Sequence, residues 1–219
     1  ATTKPLNLAY IVTYNGSTTP PTNAGTYTVV ATIDDNFYAA STTSTFIIQK
    51  AAATITISNS SPIYDGNPKS VTVVSVPSTL NRTVTYNGST TPPTNAGTYD
   101  VVVTINDINY QGTQTATLTV VPQTLTITTQ CPSKTYGDED FTIPVNTVSD
   151  GAISYTINSG PATIVNGKIR IINFGTLDVT ITQAASGNYS AATVNCSSIT
   201  VSKKPLTCLL YTSDAADDM

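Results

Sequence analysis

The sixteen residues from Val12 to Tyr27, VTYNGSTTPPTNAGTY, recur letter for letter from Val84 to Tyr99, 72 positions further on. Repetition at a fixed period of this size means tandem copies of one small module, each too small to bury a large core alone. The register runs past the identical block: Val29, Ile33, Asp35 and Tyr38 match Val101, Ile105, Asp107 and Tyr110. A weaker third copy follows. GTLDVTI (175–181) mirrors GTYDVVV (97–103), and NYSAA (188–192) echoes FYAA (37–40). Enzymes rarely need near-identical small modules in series, whereas stalks and multivalent binders do.

The expected organisation is a truncated copy over residues 1–49, a complete copy over 50–122 and a divergent complete copy over 123–204. Residues 205–207 read as the start of a further copy. The stretch from Cys208 to Met219, CLLYTSDAADDM, breaks the pattern and resembles the translation of a transposase-based sequencing adapter, so it is set apart like a fusion scar. Without its three aspartates the charge is nearly balanced, and no basic patch exists to match a phosphate backbone, which argues against nucleic acid. No run of about 18 apolar residues offers a membrane span.

Within each copy the pattern is that of strands. Tyr99, Val101, Val103 and Ile105 alternate with Asp100, Val102, Thr104 and Asn106, and Leu177, Val179 and Ile181 alternate with Asp178, Thr180 and Thr182. Residues two apart share one face of a strand, so each run has one apolar face. Thr on the other face keeps β propensity without a sticky surface. Turn signals such as Asn15-Gly16 and Asn87-Gly88 punctuate the runs about every ten residues. The paired prolines of STTPPTNAG predict a loop that crosses between sheets. No segment has helical period. The fold class expected is all-β, tandem small immunoglobulin-like β-sandwich domains arranged end to end.

The structural positions are the tyrosines and glycines of the repeat. Tyr27 and Tyr99, two residues after Gly25 and Gly97, fit a tyrosine corner whose hydroxyl bonds nearby backbone. Copy three keeps the glycine as Gly175 but carries Leu177, so that bond is lost there. Tyr38, Tyr110 and Tyr189 recur as amphipathic anchors. Seven positions separate Ile48 from Ile55, so the joint between copies is short and stiff.

Sites for chemistry are sparse. The chain has no His, so neither a Ser-His-Asp nor a Cys-His site can form and imidazole metal sites are absent; glycine signatures of phosphate loops are missing too. The residues predict no catalytic and no cofactor-binding site. Asp138, Glu139 and Asp140 form the densest acidic cluster, and its oxygen ligands suit calcium; the competing reading is a solvated turn. Cys131 and Cys196, both in copy three, either form a bridge or stay free. If the first and last strands of the copy pair in parallel, the two cysteines are expected at opposite ends and cannot meet.

Tyr64-Asp65-Gly66, the two VTYNGSTTPPTNAGTY blocks, NDINYQG (106–112), KTYGDED (134–140) and SKKPLT (202–207) together resemble the MBG and YDG-type repeat domains of large bacterial surface and secreted proteins. The resemblance covers residues 1 to 207. It implies an extracellular repeated β module used in adhesion or spacing, with neighbouring repeats as partners and no catalytic residues to carry over. Two alternatives stand beside a stalk: weak multivalent binding of glycans or host surface proteins through the STTPPTNAG loops, and spacers within a secreted polysaccharide-degrading enzyme.

Overall fold

The computed structural model describes residues 8–206. The segment from Cys208 read as adapter-derived therefore lies outside the described residues. Copy one contributes β1 (Ile11–Tyr14), β2 (Gly25–Asp34) and β3 (Ala39–Ile48). Copy two contributes β4 (Ala51–Ala52), β5 (Thr54–Ser58), β6 (Thr72–Val76), β7 (Arg82–Tyr86), β8 (Gly97–Ile105), β9 (Tyr110–Gln111) and β10 (Thr113–Val120). Copy three contributes β11 (Thr128–Thr129), β12 (Lys134–Thr135), β13 (Val145–Asn146), β14 (Ile153–Ser159), β15 (Ala162–Val165), β16 (Lys168–Ile171), β17 (Gly175–Gln183) and β18 (Ala192–Ser202). No helix occurs among the described residues. The chain folds into two compact units: copies one and two make the first, while copy three with Ile63–Asp65 makes the second.

In copy two the antiparallel sheet β10-β8-β7 faces the β5-β6 hairpin. The alternation dictates what is buried: Val101, Val103 and Leu118 are wholly inaccessible, and Val120 and Ile105 nearly so. Tyr86, at the end of β7, is buried with them and its hydroxyl accepts the Val71 N–H at 3.2 Å. From the other end of β7, Arg82 Nη2 donates to the Val73 carbonyl at 3.1 Å. These bonds tie the two layers together. The arrangement is an immunoglobulin-like sandwich reduced to its smallest form.

Copy one has the same strand order in its sheet, β1-β2-β3. Phe46 stands where copy two has Leu118; it is 43% exposed, whereas Leu118 is 0%. Tyr14, the counterpart of Tyr86, packs edge-on against Phe46 at 6.0 Å between ring centroids. Matching repeat sequence therefore gives the same three-stranded order in both copies.

Among the described residues, three turns are made by Asn-Gly; Asn166 and Gly167, with φ of 50° and 74°, join β15 to β16, and the other two open the repeated loop. Asn15 and Gly16 have φ of 44° and 88°, Asn87 and Gly88 have 48° and 84°, and Tyr14–Ser17 and Tyr86–Ser89 close each turn with paired backbone bonds. Positive φ at both central residues is the turn that matches strand twist, and glycine takes it without strain. The Asn side chains then accept the N–H of Thr28 and Asp100, each at 2.7 Å. The STTPPTNAG loop consequently leaves and rejoins one sheet, because β1 and β2, like β7 and β8, are neighbours. This corrects the expected crossing: the Asn-Gly turn has already reversed the chain before the prolines begin. Pro93 still reaches the other layer, accepting the Lys69 N–H at 2.8 Å.

Copy three builds its main sheet in the order β12-β18-β17-β14, with the β11-β13 pair and the β15-β16 hairpin beside it. Its core runs through Phe141, Ile143, Ile169, Ile171, Leu177, Val179, Ile181, Ile199 and Val201. Tyr155 clasps the layers here, its hydroxyl accepting the Ile143 N–H at 3.2 Å and facing the Ile143 carbonyl at 3.0 Å. Leu177 is fully buried, so the lost corner hydroxyl is exchanged for apolar burial worth about 1.5–3 kcal/mol.

The cysteines sit side by side, with S–S 2.02 Å and Cα–Cα 5.6 Å. Parallel pairing does occur, β12 with β18 (Lys134↔Val201), yet it does not separate them as the sequence argument expected. The first strand is broken into β11 and β12 with Cys131 between the pieces, and Cys196 lies inside β18 rather than at its start. Extending the register back from Lys134 sets Cys131 beside residue 198, and a bulge in β18 between Cys196 and Ile199 brings Cys196 within reach.

Candidate functional site

The most organised polar site lies where copy one meets copy two, within the first unit. Only Gln49 and Lys50 separate β3 from β4, and β4 pairs in parallel with β9. The turn before β9 is shaped by Asp107, whose Oδ1 accepts the N–H groups of Asn109 (2.7 Å) and Tyr110 (3.0 Å). The side chain of Asn109 is thereby aimed at copy one. Its Oδ1 accepts the Ala24 N–H at 2.7 Å and its Nδ2 donates to Asn23 Oδ1 at 3.0 Å. Lys50 Nζ closes the other side, donating to the Asp107 carbonyl at 2.7 Å.

The tyrosine corner sets up this clasp. Tyr27 Oη donates to the Asn23 carbonyl at 2.7 Å, which fixes the residue that receives Asn109. Tyr99 repeats the bond to Asn95 at 2.9 Å. A Cβ at Gly25 would lie 3.3 Å from Tyr27 Oη, a tight approach to the ring; Gly97 and Gly175 have φ of 151° and 143°, which disfavour other residues. A shallow cavity of about 170 Å³ opens between Thr22, Ala24, Ile48 and Tyr110. Sequence reading gave structural roles to Tyr27 and Tyr110, met Asp107 and Asn109 only as repeat and motif matches, and assigned no role to Asn23 or Lys50. Asn23 lay within the identical block, but nothing local pointed to a partner 86 residues away.

The remaining positions play varied parts. Tyr110 and Tyr189 are half-buried next to matching parallel contacts, Ala51↔Tyr110 and Gln123↔Tyr189, and Tyr189 packs edge-on against Tyr64 at 5.9 Å. Tyr38 is exposed, as is Phe37, which takes the place of Asn109 in copy one.

The acidic trio is not brought together as a ligand set. Asp138 Oδ2 accepts the Thr135 N–H at 2.9 Å, while Asp140 forms a two-pronged pair with Arg170, 2.9 Å to Nε and 2.7 Å to Nη2. That hydrogen bonding holds the Asp140 carboxyl below its ordinary value and raises the Arg170 guanidinium. Among the described residues no three His, Cys, Asp or Glu side chains form a group that could hold a metal ion. No helix among them is long and apolar enough to cross a membrane.

A sequence-family comparison matches residues 1–52 and 53–124 to the MBG domain. With more than half the sequence matched in two adjacent copies, the chain belongs to the MBG domain family. No curated protein sequence matches it. A solved structure of Sidekick-1 immunoglobulin domains 1-5 aligns over 90% of this chain at 14% identity with a TM-score of 0.28, and the chain spans 52% of that structure's length.

Proposed function

We propose that this chain is a non-catalytic spacer of a bacterial cell-surface or secreted adhesin-like protein. Its three modules, 1–49, 50–122 and 123–204, hold another part of that protein at a distance from its anchor. The clasped joint of copies one and two carries this reading. A linker of two residues, flanked by parallel strand pairing and three side-chain bonds, leaves little freedom for a hinge. The Cys131–Cys196 bridge supports an oxidising, extracellular setting. Neighbouring modules are the partners this reading requires; nucleic acid, a membrane insert and a cofactor have no role in it.

Multivalent binding of glycans or host proteins through the STTPPTNAG loops is less well supported. Asn23 and Ala24 of the copy-one loop are already engaged by Asn109. Small-angle scattering of the whole chain tests the spacer reading. A rod gaining about 30 Å per module is expected, from strands of about nine residues at 3.3 Å each. A broad distance distribution typical of beads on a string would overturn it.

A further inference from the structure

Residues equivalent to those of the joint between copies one and two recur at the far end of copy three. Aligning Gly175 with Gly25 places Asn173 and Phe174 where copy one has Asn23 and Ala24, the two residues that receive Asn109. Aligning Val201 with Ile48 places Lys203 where copy one has Lys50, the side chain that caps the Asp107 carbonyl. Leu206 then falls on Leu125, the first core residue of copy three. Leu125 is 5% exposed and Leu206 is 96% exposed.

These residues form one surface. Tyr136, Phe174, Lys203, Lys204, Pro205 and Leu206 line an open cleft of about 440 Å³. Phe174 is 50% exposed, and the Lys203 ammonium rests over its ring at 4.6 Å. The Phe174 N–H, counterpart of the N–H that Asn109 caps, is held by its own neighbour Asn173 Oδ1 at 2.9 Å. An arriving carboxamide can take over that N–H and release Asn173 Oδ1 to accept from it, as Asn23 Oδ1 does.

We propose that this surface is a docking platform for a following module of the same family. That module would insert an Asp-x-Asn-Tyr turn like residues 107–110: its Asn on Asn173 and Phe174, its Asp carbonyl on Lys203 Nζ, and its first core strand continuing from Leu206. Continuity with the joint already seen between copies one and two selects this occupant. An apolar cleft with two lysines also suits a glycan or an acidic peptide, but neither explains why Asn173, Lys203 and Leu206 fall in register with a joint. The proposal rests on the tandem-module reading, yet the two can fail separately: a flexible array would fail the scattering test and still cover Phe174.

Hydroxyl-radical footprinting of two chains tests it: the chain as it stands, and one in which residues 207–219 are replaced by a second copy of residues 54–122. In the extended chain, labelling of Phe174 and Leu206 should fall about fivefold, as for side chains passing from exposed to buried. Asn→Ala at the added module's counterpart of Asn109 should return much of the Phe174 labelling. Undiminished labelling of Phe174, with the pooled Leu118 peptides fully protected, overturns the proposal. An added module that stays unfolded, seen as labelling of half the Leu118 peptide, also counts against it, because the same residues fold when seated on copy one. Protection of Phe174 by mucin glycans but not by the added module would identify a ligand site instead.

Discussion

At the residue scale, single hydroxyl and carboxylate groups set local geometry at modest energetic cost. Tyr99 Oη reaches a backbone carbonyl four residues back in a half-exposed position. Tyr99→Phe should therefore lower stability by about 1 kcal/mol, the net worth of an ordinary hydrogen bond, measured by chemical denaturation. Asp140 behaves differently because it titrates. Its pKa is lowered from 3.8 in the fold, first by hydrogen bonding from Arg170, so the pair adds stability at pH values above the unfolded carboxyl's pKa. That contribution fades as pH falls through the lower folded value. The melting temperature of wild type should exceed that of Asp140→Asn at pH 7, and the gap should close below pH 4. A gap that stays constant with pH would show that the pair is not the cause. Both partners are solvent-accessible, with side-chain exposures of 51% for Arg170 and 28% for Asp140, so the gap will be small.

At the element scale, turns and cross-links decide how strands meet. Gly88 has φ of 84°, where a β-branched side chain is strained. Gly88→Val should destabilise copy two by about 1–2 kcal/mol, the cost of forcing an L-residue into the left-handed region. Gly88→Asn should cost less, since Asn tolerates that region, and comparing the two denaturation midpoints separates backbone strain from a general effect of substitution. The Cys131–Cys196 bridge closes a separation of 65 residues. Replacing both cysteines by serine should remove about 3–4 kcal/mol in the loop-entropy description, seen as a lower midpoint for copy three alone. The strand alternation behind both elements was readable in advance, because inward and outward positions follow from a two-residue period. The sequence left the bridge open because its register depends on a break near Cys131 and a bulge at Ser198, neither of which has a composition signal.

At the scale of the whole molecule, one carboxamide supplies two of the three side-chain bonds at the joint between copies one and two. Asn109→Ala should leave the melting of copy two within about 1 kcal/mol, the loss of a part-exposed bond pair, while freeing the Ala24 amide. Amide exchange at Ala24 should quicken at least tenfold, and the copy-one peptides should otherwise exchange as before; unchanged protection of Ala24 would mean that the clasp does not order the joint. The sequence by itself determined the copies, their strands, the inward face of each and the absence of imidazole chemistry. All of these depend on identity or on neighbours two positions apart. Tertiary structure alone decided that Cys131 lies beside Cys196 and that Asn109 caps Ala24. The reason is physical: register depends on which distant segment supplies the partner strand, and no local pattern encodes that choice.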